Sequence, residues 1–147
     1  MRRGQISVDF LFAVTLVMLT VLNLVYVATN ETTQAENFDT LSKLKVFSID
    51  VRDSVAKVYS VGSGFKIKKE APLKLEPGDW VRVKLDNTTN KVVITAHIGE
   101  KDYYTAQKLP VPIGEDSEVL LTQTHESFWI TAEYNEEEGR LYVKVSP

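Results

Sequence analysis

The sequence predicts an α+β protein in which a long N-terminal α-helix, hydrophobic and then amphipathic, packs on a C-terminal antiparallel β-sheet. Three observations predict this fold. Residues 6–28 are almost entirely apolar. No glycine lies between Gly4 and Gly62, and the first proline is Pro72, so the stretch between them lacks strong helix breakers. After Gly64 the chain consists of short segments rich in β-branched and aromatic residues, which is typical of strands.

Length, charge and cysteine content exclude several classes of protein. With 147 residues and a net charge of −3, the chain has room for one ordinary domain and an appendage. Its 17 Lys and Arg are interspersed with 20 Asp and Glu, so there is no basic patch for nucleic acid. The absence of cysteine excludes disulfides and thiolate metal sites. We therefore predict no nucleic-acid partner.

The apolar run Ile6–Ala28 is long enough for a membrane span, because a helix of this length rises roughly 30 Å. Arg2 and Arg3 precede the run, while Glu31 and Glu36 follow it. The positive-inside rule then places the N-terminus in the cytoplasm and the rest of the chain outside. The run is longer than the apolar region of a cleaved secretory signal, about 7–15 residues, so we expect the anchor to stay on the protein.

Asp9 is the one charged residue inside this run. A carboxylate at membrane depth costs a few kcal/mol or more, so it normally has a partner or a function. The alternative is that Asp9 lies at the headgroup level, where the positive end of the helix dipole favours it without a partner. Asn23, deeper in the run, is either an interhelical hydrogen-bonding residue or simply a tolerated polar one.

The second half of the predicted helix is amphipathic. Its apolar residues recur at three-, four- and seven-residue steps, which predicts one packed face. That face comprises Phe38, Leu41, Leu44, Val51, Val55 and Val58. The cap-prone stretch Thr29 to Thr33 is the expected bend or melted turn, and Gly62 to Gly64 is the expected end of the helix.

Seven segments then alternate in the manner of half-buried strands. They are FKIKKE, DWVRVKLD, KVVITAHIG, DYYTAQKLPV, SEVLLTQT, FWITAEY and GRLYVKV. Turn-like stretches at 86–90, 99–102 and 135–140 favour sequential antiparallel pairing. We therefore predict a meander of about seven strands, with the amphipathic half of the helix covering its apolar face.

The N-terminus resembles the processing motif of archaeal class III signal peptides, which archaeal type IV pilins and related filament subunits carry. The motif is a short basic leader ending in Gly, then Gln, any residue, Ser, any residue, and Glu or Asp. Arg2, Arg3 and Gly4 match the leader, and Gln5, Ser7 and Asp9 match the mature positions. The resemblance covers roughly the first thirty residues. Two departures are Ala13, where the family often has Leu, and Asp9 in place of the commoner Glu.

The resemblance implies cleavage between Gly4 and Gln5 by a prepilin peptidase. We expect four regions. The resemblance implies the cleaved leader (1–4) and the polymerising role of the membrane-spanning half of the helix (5–29), whereas the residue patterns predict its amphipathic half (30–61) and an exposed β-rich domain (65–147). The resemblance also implies assembly through Gln5, Asp9 and Phe10. The new α-amino group of Gln5 in one subunit would pair with the Asp9 carboxylate of a neighbour, since two buried charges are tolerated when paired.

Other candidate sites are weaker. Asn30 in NET and Asn87 in NTT fit the glycosylation acceptor pattern, and Asn87 is the better placed. His97 and His125 have no obvious carboxylate at ligand spacing, so we expect no metal site and no cofactor. Glu136 to Glu138 form a like-charged hairpin tip, for which a solvated loop is expected in preference to the alternative of a cation site. Trp80, Trp129, Tyr103 and Tyr104 could contact a surface or a glycan, although strand aromatics usually pack within a protein.

We therefore expect a non-catalytic pilin or minor pilin, resident in the membrane and then in an extracellular surface filament. Its expected partners are itself or related pilins, the prepilin peptidase and the pilus assembly machinery. The alternative is a monomeric, single-span anchored protein whose β domain binds a ligand or helps assemble an envelope complex. A tethered hydrolase is a third option, disfavoured because no convincing nucleophile and base occur together.

Overall fold

The computed structural model describes the backbone of residues 2–147 and the side chains of residues 8–147. One helix precedes seven strands. They are α1 (Arg2–Val61), β1 (Lys66–Glu70), β2 (Trp80–Asp86), β3 (Lys91–Ile98), β4 (Lys101–Lys108), β5 (Ser117–Leu121), β6 (Ser127–Asn135) and β7 (Arg140–Ser146). The chain is therefore an α+β protein, as predicted, with its long helix packed on antiparallel sheet.

The chain divides into two compact units, with the boundary in the sequence after Asp39. The first contains only the N-terminal part of α1. The second, Thr40–Pro147, contains the remainder of α1 and all seven strands. We call the second unit the β domain.

The helix stays regular at Thr29 to Thr33, so the melted turn predicted there is absent. The hydroxyls of Thr29, Thr32 and Thr33 each donate to the carbonyl four residues earlier, at 2.8, 3.0 and 3.0 Å. Threonine can make this bond without leaving the helical conformation. The cap-prone residues are thus accommodated inside the helix.

The helix ends where the sequence predicts. Gly62 has φ of 105° and Gly64 has φ of 85°, in the region that residues with a β-carbon rarely adopt. The Gly62 N–H donates to the Val58 carbonyl at 3.1 Å. Gly62 therefore provides a hydrogen bond to a carbonyl of the last helical turn, and the positive φ angles of Gly62 and Gly64 turn the chain towards β1.

The strands form two antiparallel sheets, with orders β1-β6-β7 and β4-β3-β2-β5. Short turns join the neighbours β2 and β3, β3 and β4, and β6 and β7, as predicted. The single meander is wrong, because β1 pairs with β6 and β5 returns to β2. The longer links 71–79 and 109–116 separate β1 from β2 and β4 from β5, and neither of these pairs of strands is hydrogen-bonded.

One hydrophobic core joins the helix to the sheets. Alternate residues of β2, β3 and β6 are buried, which is the period-two pattern of a half-covered strand. The helix contributes Leu44, Phe47, Val51, Val55 and Val58 to this core. The rings of Phe47 and Phe128 meet edge to face at 6.3 Å between centroids, a favourable aromatic geometry.

The packed face of α1 differs from the predicted one at its beginning. Phe38 and Leu41 are 73% and 42% exposed, whereas Leu44 and Val51 are buried. Phe38 precedes Phe47 by about two and a half turns at 3.6 residues per turn, so the two point to opposite sides of the helix. Apolar spacing alone therefore overestimated the length of the packed face.

Candidate functional site

The N-terminal part of α1 presents a continuous apolar surface. Every large hydrophobic side chain from Val8 to Val27 is exposed, and the helix is long and apolar enough to cross a membrane. An apolar surface of this extent requires lipid or other apolar surfaces around it. We call residues 8–28 the apolar segment.

Its neutral polar side chains are satisfied within the helix. The hydroxyls of Thr15 and Thr20 donate to the carbonyls of Leu11 and Leu16, both at 2.8 Å. The Asn23 amide Nδ2 donates to the Leu19 carbonyl at 3.3 Å. This bond is compatible with both interpretations of Asn23, because its Oδ1 keeps the capacity to accept a bond from another helix.

Asp9 differs from these neutral residues. It is exposed and is the only charged residue of the apolar segment. Within residues 8–147, no hydrogen bond or ion pair engages its carboxylate. An ionised carboxylate on an apolar surface is costly without a partner, so its surroundings in the membrane or in an assembly determine its energy. Phe10 beside it is 68% exposed.

The remaining residues of the motif lie outside the described side chains. Arg2, Arg3, Gly4, Gln5 and Ser7 belong to the helical backbone of α1. Cleavage between Gly4 and Gln5, and the role of Gln5 in assembly, stay predictions.

The two candidate glycosylation sites have different settings. Asn30 lies inside α1 with an exposed side chain, and Asn87 lies in the exposed turn between β2 and β3. Asn87 is fixed at two points, because its backbone N–H donates to Asp116 Oδ1 at 2.7 Å and its Nδ2 donates to the Gly114 carbonyl at 3.0 Å. The turn is thereby attached to the link 109–116.

A second charged group strengthens this attachment. Lys84 Nζ lies 3.0 Å from Asp116 Oδ2. The Asn87 N–H, and then Lys84, lower the pKa of Asp116 below its usual value. Hydrogen bonding to Asp116, together with its negative charge, raises the pKa of Lys84. Both shifts favour the charged pair.

His97 has a carboxylate partner that the sequence analysis missed. His97 and Asp102 are paired across β3 and β4, and Nδ1 of His97 lies 2.6 Å from Oδ1 of Asp102. The signal was the predicted turn at Gly99 to Asp102, because a two-residue loop at 99–100 places positions 97 and 102 opposite each other. The imidazole also stacks on Trp80, with 6.2 Å between centroids.

The other aromatic residues named from the sequence lie on the strands, and Tyr103 among them packs against the hydrophobic core. Trp80, Trp129 and Tyr103 are half-buried, and Tyr104 is 65% exposed. Lys66 Nζ lies 4.7 Å from the centre of the Trp129 ring, a cation–π geometry. These contacts lie within the protein and do not define a ligand.

Among residues 8–147, no three His, Asp or Glu side chains lie close enough together to hold a metal ion. The acidic tip Glu136 to Glu138 is exposed. Comparison with family models, with curated proteins and with solved structures gives no match for this chain. The apolar segment with Asp9 is therefore the strongest candidate for a functional site.

Proposed function

We propose that this chain is a structural subunit, pilin or minor pilin, of an archaeal type IV pilus-like surface filament. A prepilin peptidase removes residues 1–4 at the cytoplasmic face, and the mature subunit is drawn from the membrane into the filament through the N-terminal half of α1. The function is assembly rather than catalysis.

One observation carries the proposal: the apolar segment is wholly exposed and bears a carboxylate that has no partner within residues 8–147. Lipid satisfies the apolar side chains but not the charge. A bundle of like helices satisfies both if a neighbour's new α-amino group at Gln5 reaches Asp9. Close packing between helices then replaces contact with lipid.

Asp9 and Gln5 are separated by about 6 Å of helix, at about 1.5 Å per residue. Pairing between subunits therefore requires a small axial stagger between neighbouring helices. Removing one partner of a buried charge pair costs about 3–5 kcal/mol, which is enough to exclude a subunit from a cooperative assembly. The pair sets the register of the polymer.

The test is the substitution Asp9→Ala in the native cells, with Glu31→Ala as the matched control. Glu31 is an exposed acid of the same helix beyond the apolar segment. We expect the Asp9→Ala chain to be cut and to reach the membrane, but to be missing from sheared filaments by immunoblot. Filaments with normal Asp9→Ala content would contradict the role of the carboxylate.

A second candidate function is a monomeric anchored protein with an extracytoplasmic β domain. The internal bonds of Thr15, Thr20 and Asn23 favour it, because a helix whose neutral polar groups are satisfied can reside alone in lipid. Under this alternative Asp9 lies at the headgroup level. Crosslinking in native membranes distinguishes the two, since the anchored monomer gives no ladder of oligomers.

A further inference from the structure

A cleft opens where three loops of the β domain meet. They are the turn 86–90 between β2 and β3, the link 109–116, and the tip of the hairpin formed by β6 and β7, with Tyr59 of α1 at the side. The cavity measures about 530 Å³, inside the range of roughly 300–1,000 Å³ for small-molecule sites. Loops held by a rigid scaffold are frequent positions for ligands.

The walls of the cleft are held in place. Asn87 bonds to the Gly114 carbonyl and to Asp116, which ties the first loop to the second. Gly114 in turn lies directly against Tyr142 of β7, since a β-carbon at Gly114 would be 2.6 Å from Cβ of Tyr142. The cleft is thus preformed, which lowers the ordering cost of binding.

Several polar side chains at the cleft have unused hydrogen-bonding capacity. Tyr59, Arg140 and Tyr142 line the cavity, and no hydrogen bond within residues 8–147 engages their side chains. The Asn87 amide oxygen is an additional acceptor, because only its Nδ2 is bonded in the described residues. The cleft therefore offers two hydroxyls, one guanidinium and one amide oxygen to a ligand.

The balance of charge indicates a neutral ligand. Glu138 lines the same cavity as Arg140, so an anion such as phosphate would meet a carboxylate as well as a guanidinium. The tyrosine rings, Pro112 and Leu141 add apolar surface. A sugar ring has this combination of an apolar C–H face and a rim of hydroxyls that donate and accept hydrogen bonds.

We propose that this cleft binds a neutral sugar residue, with Tyr59 and Tyr142 against the ring and Arg140 and Glu138 bonded to its hydroxyls. The inference does not depend on filament assembly. The sugar has two candidate sources: a glycan attached to Asn87, which begins the acceptor triplet Asn87-Thr88-Thr89, or a free saccharide from outside.

Attachment is compatible with the geometry of Asn87. Its Nδ2 carries two hydrogens, of which one serves the Gly114 carbonyl. A glycosyl phosphate donor would transfer its anomeric carbon to Nδ2. The bond from that carbon to the phosphate oxygen breaks, and the displaced hydrogen leaves with the phosphate as a proton.

The first arm of the test uses the full chain from its native cells. Mass spectrometry of the peptide containing Asn87 shows whether a glycan is attached. Thr89→Ser keeps the triplet and the hydroxyl that donates to Asp86 at 2.5 Å, whereas Thr89→Ala removes both. An attached glycan is expected to persist in the first variant, to vanish in the second, and to give nuclear Overhauser contacts with the Tyr142 ring.

The second arm uses the full chain from a bacterial host that lacks asparagine glycosylation, in a detergent without a sugar headgroup. Glucose, galactose, mannose and N-acetylglucosamine are titrated while NMR signals are followed. We expect at least one to bind saturably. Tyr142→Phe, which keeps the packing on Gly114, and Arg140→Gln should each weaken binding roughly tenfold, equal to about 1.4 kcal/mol. The control Tyr104→Phe should leave binding unchanged.

The outcomes separate cleanly. Contacts between an Asn87 glycan and Tyr142 support an attached sugar, and saturable binding with bare Asn87 supports a free one. The proposal is overturned if Asn87 is bare and no probe binds. It is also overturned if an attached glycan never contacts Tyr142, or if binding is insensitive to both cleft variants.

Discussion

Asp9 and Asp116 are both exposed carboxylates, but within residues 8–147 only Asp116 has partners. Asp116 accepts from the Asn87 N–H at 2.7 Å and pairs with Lys84 at 3.0 Å. Asp9 has neither contact within residues 8–147 and is surrounded by apolar side chains along its helix. The carboxylate of Asp116 therefore contributes to the stability of the β domain. The energy of the Asp9 carboxylate depends instead on what surrounds the helix.

Asp116 should make the β domain sensitive to acid. Its pKa is lowered in the folded state from the ordinary value of 3.8, so its contribution is complete above that value and disappears as the pH falls through the lower folded pKa. Asp116→Asn should lower the urea midpoint at pH 7, and the difference from wild type should shrink towards pH 2. Tryptophan fluorescence measures both midpoints. An equal difference at both pH values would contradict this assignment.

Gly114 should tolerate no side chain. A β-carbon there would lie 2.6 Å from Cβ of Tyr142, and forcing the two apart typically costs about 1–3 kcal/mol. We expect Gly114→Ala to reduce the free energy of unfolding by about this amount. Glu115→Ala, at the next exposed position, is the control and should change it by less than about 0.5 kcal/mol. Equal free energies of unfolding for the two variants would contradict the prediction, because they would mean that the link 109–116 shifts to admit the new methyl group at no cost.

The sequence could specify parts of the site and not others. The motif identified Asp9, and the turn composition placed Asn87 in an exposed loop. The partners of Asn87 could not be predicted, because Gly114 and Asp116 lie in a link whose path depends on β5 pairing with β2. The pair of His97 and Asp102 was in principle accessible from the length of its turn.

At the scale of elements, α1 joins two environments. Its later part contributes one face to the core of the β domain, and its earlier part has no buried large hydrophobic side chain between Val8 and Val27. The transition occurs without a helix breaker, since Thr29 to Thr33 remain helical.

Two leucines of α1 test where packing begins. Leu44 is 1% exposed and Leu41 is 42% exposed. Leu44→Ala should reduce the free energy of unfolding by about 2–5 kcal/mol, because it removes buried methyl groups and leaves a cavity. Leu41→Ala is the matched control and should cost less than about 1 kcal/mol. Denaturation of the full chain in detergent gives both values, and similar losses would contradict the observed packed face.

The strands were predictable one by one, but their order was not. All seven segments were recognisable because alternation and turn residues are local properties. Pairing of β1 with β6 joins residues far apart in sequence, and nothing local encodes it. Phe38 was misplaced for a different reason, because it precedes Phe47 by about two and a half turns and therefore belongs to the opposite side of the helix.

At the scale of the whole molecule, the β domain buries its apolar side chains in its own core, whereas the apolar segment leaves its apolar side chains exposed. The β domain has a continuous core, and none of the buried side-chain polar atoms among the described residues lacks a hydrogen bond. The apolar segment must be completed by lipid, by other subunits, or by each in turn. The proposed filament subunit uses both in succession.

The most direct test is the intact mass and N-terminal sequence of the protein purified from its native cells. The account predicts a chain that begins at Gln5, because only cleavage there creates the α-amino group that can neutralise Asp9 in a neighbour. A chain that retains Met1 through Gly4 would contradict the account and leave the anchored monomer as the function of this molecule.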